Sequence, residues 1–209
     1  MGERGPEPAV VWADDALVVI DKPAGVPTQP DAERRGGDLL AWVVTRWPDA
    51  TLVHRLDQPA SGLVVFARSE AARRSLSDAL QAHRLDRRYR AVLAGGDDAW
   101  GETAAWTWRV DGRPARTDVR RVGAAGGLLA VEAALHTGRT HQIRQHAATA
   151  GTPILGDRRY GGDAGRWHPR LALHAWRLTV DHPERGPLTL EASLPDELAA
   201  LWARAGGPA

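Results

Sequence analysis

Leu129-Ala130-Val131-Glu132-Ala133-Ala134-Leu135 sets Leu129, Val131, Ala133 and Leu135 against Ala130, Glu132 and Ala134. That period of two is the signature of a half-buried strand. The flanking sequence reads the same way. Tyr89 to Ala94, Ala104 to Val110 and Thr117 to Val122 precede it as strands, so the middle of the chain is mostly sheet. A helix from about His141 to Ala150 follows, with Thr140 as its capping residue and Gly151-Thr152-Pro153 as its stop. Towards the N-terminus, Leu63 to Ala67 is strand-like and leads to Ser69, a cap for a helix that places Ala72, Leu76, Ala79, Leu80 and His83 at helical spacing. Val10 to Trp12 and Leu17 to Ile20 flank the turn-forming Asp14-Asp15 as a hairpin. Residues 23–38 are rich in Pro and Gly and predict a loop, after which Asp38 caps a helix from Leu39 to Arg46. The chain closes with strands at Leu171 to Val180 and Leu188 to Ala192 and a short helix after Pro195. Strands with helices inserted irregularly, and no strict strand–helix alternation, predict an α+β fold on a mixed, mostly antiparallel sheet.

At 209 residues the length favours one domain, and a chain of this size buries about 70% of its unfolded surface without a disulfide or metal. Cysteine is absent, which excludes thiolate metal sites, iron–sulfur clusters and cysteine nucleophiles. The longest apolar runs, such as Leu39 to Val44, are far short of the roughly 18 residues of a membrane span. Met1-Gly2-Glu3-Arg4-Gly5-Pro6 lacks the apolar stretch of a signal peptide, so a cytoplasmic protein is expected. The net charge of +1 does not advertise a nucleic-acid binder. Lys22 is the sole lysine among 27 basic residues. The arginine excess fits GC-rich coding, yet arginine is also the cation suited to bidentate phosphate contacts. Arg73-Arg74, Arg84 to Arg88, Arg120-Arg121 and Arg158-Arg159 are local clusters, either solvated surface or parts of a basic stripe.

Three segments carry chemistry. In Val53-His54-Arg55-Leu56-Asp57-Gln58-Pro59-Ala60-Ser61-Gly62, a carboxylate precedes a small-residue turn and a buried strand. Such an Asp can be presented as an oriented nucleophile or base, or can cap the turn structurally. A second copy of the tetrapeptide, His83-Arg84-Leu85-Asp86, closes the amphipathic helix without a Ser-Gly turn, so Asp86 reads as structural. In Leu135-His136-Thr137-Gly138-Arg139-Thr140-His141-Gln142-Ile143-Arg144, a strand, a Gly turn and a helix start bring Arg139, His141 and Arg144 near one point, an arrangement suited to an anion. His136, His141 and His146 also invite a metal reading, although their spacing of five is not the i, i+4 pairing of helical ligands.

Taken in order, His54 to Asp57, Ser61-Gly62-Leu63, Tyr89, His136 to Arg144 and Gly156-Asp157 to Tyr160-Gly161 resemble the RluA-type family of RNA pseudouridine synthases. Asp21 to Gly25 and Leu171 to Ala175 fit the same pattern, and the likeness runs from about residue 11 to 200. The resemblance implies one catalytic domain over 1–209, with flanking helices around a central cleft and no S4-like RNA-binding domain before it. Asp57 would be the catalytic carboxylate, Tyr89 would pack against the target base and Arg144 would form the ion pair holding Asp57. Arg55 would take the place of the flipped nucleotide, and His54, Arg87, Arg139 and His141 would serve RNA binding. The family usually has Thr where Ala60 stands and Lys where Arg87 stands, departures that bear on loop support and RNA contacts. Substrates would be ribosomal RNA, transfer RNA or both, with a monomeric enzyme and no membrane partner.

Uridine isomerisation breaks the C1′–N1 bond, turns the uracil and joins C5 to C1′, with no atoms gained or lost, so neither cofactor nor metal is expected. The carboxylate must be ionised, and an adjacent Arg lowers an Asp pKa by roughly 1–3 units from about 3.9. Flipping the nucleotide out of its stack costs a few kcal/mol. Two other readings are open: a catalytically silent RNA-binding module, and a metal-dependent phosphodiester hydrolase built on the histidines.

Overall fold

The computed structural model describes residues 7–30, 37–96 and 100–208. The opening Met1 to Pro6 and the stretch 31–36 of the Pro/Gly-rich loop lie outside the described residues. The chain forms two compact units, one comprising Met1–Leu85 with Arg177–Ala192, the other Asp86–Trp176 with Ser193–Ala209.

In the first unit, β1 (Ala9–Ala13) and β2 (Leu17–Lys22) form the expected antiparallel hairpin. The Asp14 carboxylate accepts the Ala16 and Leu17 N–H groups, each at 2.9 Å, which fixes the turn between them. Next to β2 lies β4 (Ser61–Ala67), antiparallel to it from Leu17 opposite Ala67 to Lys22 opposite Gly62. Every residue of β4 is buried, consistent with its continuous apolar run. Helix α1 (Leu39–Val44) is capped by Asp38, which accepts the Ala41 N–H at 2.9 Å, and stops short of the expected Arg46. Ser69 likewise caps α2 (Glu70–Gln81), which buries Ala72, Leu76 and Ala79, the first two in one cluster with Leu17, Val19, Leu63 and Val65. His83, expected on that helix, lies beyond its end in a left-handed conformation (φ 57°). A two-residue strand, β3 (Thr51–Leu52), escaped the pattern reading because so short a segment shows no period.

The second unit holds an antiparallel series, β5 (Asp86–Ala94), β8 (Leu128–Leu135), β7 (Thr117–Ala125) and β6 (Thr103–Trp106), in that spatial order. Two departures from expectation are explained by hydrogen bonding and backbone conformation. The strand expected to reach Val110 ends at Trp106, because Val110 and Arg113 exchange N–H···O=C bonds in a tight turn and His146 takes the Trp108 carbonyl. Helix α3 (Gln142–Thr149) is not capped by Thr140; its N-cap is His141, in a left-handed conformation (φ 55°) with no side-chain cap bond. Strands β9 (Leu173–His182) and β10 (Gly186–Glu191) pair antiparallel, and α4 (Asp196–Arg204) closes the chain after Pro195. Strands with irregularly inserted helices make the fold α+β, as the sequence predicts. No helix among the described residues is long and apolar enough to cross a membrane.

Candidate active site

The first unit presents Asp57 on the loop between β3 and β4, half-buried between a buried Leu56 and the Pro59-Ala60 turn. Hydrogen bonds hold the backbone on both sides of it. The Thr28 hydroxyl donates to the Leu56 carbonyl at 2.8 Å and accepts the Leu56 N–H at 3.1 Å. On the other side, the Ala60 N–H closes a turn onto the Asp57 carbonyl at 3.1 Å. The Gln58 carbonyl accepts the Gly25 N–H at 2.8 Å, and the Gln58 amide returns a bond to the Gly25 carbonyl at 2.8 Å.

Lys22 fixes the base of this loop. Its side chain is wholly buried, and its ammonium lies within hydrogen-bond reach of the carbonyls of Pro23 (3.0 Å), Val26 (2.9 Å), Gln58 (3.2 Å) and Ala60 (2.7 Å). A compact tetrahedral donor suits carbonyls that converge from several directions; a planar guanidinium does not. In a chain that otherwise uses arginine alone, Lys22 marks the place where arginine would not fit. Replacing it by Arg keeps the charge but overfills the cradle, and the Lys22→Arg variant is expected to lose about 1–3 kcal/mol of stability. Urea unfolding checks this; an unchanged midpoint would show that the cradle is not selective for shape.

Arg55 is exposed and, with Pro27, Thr28, Pro30 and Gln58, lines a cavity of about 310 Å³. His54 is buried, and its Nε2 accepts the Val65 N–H at 3.4 Å, tying the start of the loop to β4.

In the second unit, Gln142 organises the turn that leads into α3. Its side-chain oxygen accepts from the Thr137 hydroxyl (2.6 Å) and the Arg139 N–H (3.1 Å), while its amide donates to the Arg116 carbonyl (3.0 Å) and the Thr117 hydroxyl (2.9 Å). The fold brings Arg144 and His141 together with Asp157 and Tyr160. Arg144 Nε and Nη2 each donate to one oxygen of Asp157 at 2.8 Å, and both side chains are buried. Asp157 Oδ1 also accepts the N–H groups of Arg159 (3.0 Å) and Tyr160 (3.1 Å). Burial by itself would push the Asp157 pKa up; the bonds and charge of Arg144, with the two N–H groups, outweigh it and hold the carboxyl below its usual range. The Arg144 guanidinium lies 5.2 Å from the Tyr160 ring centre, and the Tyr160 hydroxyl meets His141 Nδ1 at 3.0 Å. The result is a cation held in one orientation by a planar, two-point contact.

Tyr89 is buried on β5, opposite Ala133 of β8. Arg87 is buried two residues before it, its guanidinium so close to Gly138 that a Cβ there would sit 3.1 Å from Nη1. Arg139 is half-exposed and donates to the Pro114 carbonyl at 3.1 Å. Asp86, the carboxylate of the second tetrapeptide, opens β5 rather than closing α2, and pairs with Arg88 at 2.7 Å. Arg84, likewise beyond the helix end, stands 3.8 Å from Asp181.

The three histidines point to different partners: His136 to Asp118 (2.7 Å), His141 to Tyr160, and His146 to Thr117 (3.0 Å) and the Trp108 carbonyl (2.8 Å). Burial lowers the His146 pKa, against the Trp108 bond that raises it, which favours the neutral ring. Among the described residues no group of three His, Cys, Asp or Glu is arranged to hold an ion.

Residues 16–149 match the family model described as RNA pseudouridylate synthase. A ribosomal large subunit pseudouridine synthase D from Nitrosomonas europaea is 36% identical over 92% of this chain and 63% of its own length. One of the same name from Xanthomonas campestris pv. campestris is 36% identical over 92% of the chain and 67% of its own length. The chain thus spans about three fifths of the length of several curated relatives it matches. Among solved structures, human RNA Pseudouridylate Synthase Domain Containing 4 superposes with a TM-score of 0.74 at 20% identity, covering 95% of this chain and 93% of that one.

Proposed function

The chain belongs to the RNA pseudouridylate synthase family, and from that premise we propose that it isomerises uridines of large-subunit ribosomal RNA to pseudouridine, with Asp57 as the reacting carboxylate. The observation that carries the reading is the Asp57 loop itself. A half-buried carboxylate stands on a backbone fixed on one side by Thr28 and on the other by Lys22 and Gln58. Such a support keeps a nucleophile or base in one place while a substrate is bound. The relatives' names supply the RNA class, and transfer RNA is a second substrate to test beside it.

In the proposed reaction Asp57 acts at the sugar or the base, Tyr89 packs against the uracil, and Arg144 forms the ion pair that holds Asp57. Arg55 enters the space a flipped nucleotide leaves, a role its exposure beside the cavity supports. His54, Arg87, Arg139 and His141 complete the residues proposed to serve RNA, His54 and Arg87 from buried positions that shape the site rather than meet solvent. The whole stretch 1–209 acts as one catalytic domain, monomeric and in the cytoplasm, and the isomerisation needs neither metal nor organic cofactor.

The test is single-turnover reaction of the purified chain, treated with chelator, on unmodified ribosomal and transfer RNA transcripts, followed by pseudouridine mapping. Pseudouridine at discrete sites of the large-subunit RNA is expected. RNA binding without product would favour a silent binding module, and cleavage that depends on added metal would favour the hydrolase.

A further inference from the structure

The segment Gly156–Arg170 of the second unit is wound backbone against backbone. The Gly156 N–H donates to the Ala164 carbonyl (3.0 Å), the Gly161 N–H to Asp157 (2.8 Å) and the Trp167 N–H to Ala164 (3.2 Å) across a 3-10 turn over Gly162–Arg166. A Cβ at Gly156 would lie 1.9 Å from the Arg170 carbonyl oxygen, and one at Gly165 would lie 2.6 Å from that of Asp157. Close approach of this kind leaves the loop little room to rearrange, and the buried Asp157 carboxylate anchors it from inside.

Of the side chains this loop presents to solvent, the Arg159 guanidinium lies 5.3 Å from the Tyr160 ring centre, a contact that leaves its charge without a counter-ion among the described residues. Trp167 is 62% exposed, the highest value among the exposed large apolar residues described. Arg158, Arg159 and Arg166 are exposed, and among the described residues none has a carboxylate partner. The neighbourhood of the other exposed tryptophan differs. Trp108 packs edge-on against His146, Arg116 is paired with Asp118 at 2.9 Å, and Arg109 donates to the Gly112 carbonyl. Trp and Arg also recur at protein interfaces, but there within a well-packed apolar centre; this surface instead sets a single exposed indole among several guanidiniums. It matches a polyanion that carries flat apolar faces.

We propose that the Gly156–Arg170 loop is an RNA-docking platform, in which Trp167 stacks on an unpaired base and Arg158, Arg159 and Arg166 neutralise phosphates beside it. The proposal rests on reading the chain as one that acts on RNA, and adds a surface whose side chains take no part in the isomerisation. Stacking on an aromatic side chain is tolerant of sequence, and each phosphate neutralised on a single strand adds about 0.7 to the salt slope.

The full chain is titrated into a fluorescein-labelled single-stranded RNA of mixed sequence at several salt concentrations. Trp167→Ala is expected to weaken binding about 5- to 150-fold, and Trp167→Phe to recover most of the loss. Replacing Arg158, Arg159 and Arg166 together by Ala should flatten the slope of log K against log salt by about 2. All four side chains are exposed, so unchanged melting curves verify folding. Wild-type affinity and slope in every variant, with pseudouridine still formed by the native chain, would overturn the platform and leave the proposed reaction standing. Loss of RNA affinity in the variants of a chain that forms no pseudouridine would uphold the platform and remove the reaction. Unchanged RNA binding with lost adsorption to phosphatidylglycerol vesicles would overturn it in favour of a membrane surface.

Discussion

Asp157→Ala is expected to lower the unfolding free energy by about 3–5 kcal/mol, the cost of removing one partner of a buried ion pair. Arg144 is 6% exposed and Asp157 1%, so neither charge recovers water when the other is lost. Asp157 also accepts two backbone N–H groups that organise the loop after it, and alanine leaves those without their acceptor. Urea unfolding at neutral pH measures the loss. Combining Asp157→Ala with Arg144→Met should cost less than the sum of the two, because the second change removes the uncompensated charge. The pH dependence has a definite sign. The Asp157 carboxyl titrates lower in the folded chain than its unfolded value of about 3.9, so its contribution is complete above that value and disappears as pH falls through the lower folded one. The stability difference between wild type and Asp157→Asn should therefore be flat above about pH 5 and shrink below about pH 4. A difference that grew on acidification would contradict the assigned ion pair.

The strands were legible where one local rule sufficed. Leu129 to Leu135 alternates along β8, and the hairpin of β1 and β2 is announced by Asp14. Asp38 and Ser69 cap α1 and α2 because each has a side-chain oxygen and an extended backbone in front of a helical run. The same rule failed at Thr140, since His141 takes the left-handed conformation and starts α3 without a side-chain cap, on a turn already held by Gln142. The strand into Val110 failed for a tertiary reason, the pull of His146 on the Trp108 carbonyl.

Part of the candidate site was equally readable. Asp57 stood out by its Ser-Gly turn, and the buried β4 follows it as the apolar run requires. The groups that hold the site were not. Lys22 acts on carbonyls 36 and 38 positions away, and Asp157 reaches Arg144 across 13. No local period encodes such contacts. The signals that existed were the motif pieces Asp21 to Gly25 and Gly156-Asp157 to Tyr160-Gly161, which marked the segments without giving Lys22 or Asp157 a role, and the single lysine of the chain.

The largest effect on activity is expected at Asp57. Asn has the size of Asp and can accept a hydrogen bond, but it cannot act as an anionic nucleophile or a base. Asp57→Asn should therefore remove turnover by about 10⁴-fold or more while RNA affinity stays close to wild type, since loss of a reacting group disables the step it performs. Asp86→Asn supplies the internal control: that carboxylate is paired with Arg88 at the start of β5, and the variant should retain most of the activity. The decisive measurement is tritium release from 5-tritiated uridine in unmodified large-subunit ribosomal RNA, run side by side with wild type, Asp57→Asn and Asp86→Asn. Release by wild type and Asp86→Asn with none above background from Asp57→Asn is the predicted result; release by folded Asp57→Asn at the wild-type rate would contradict the assignment of the reacting carboxylate.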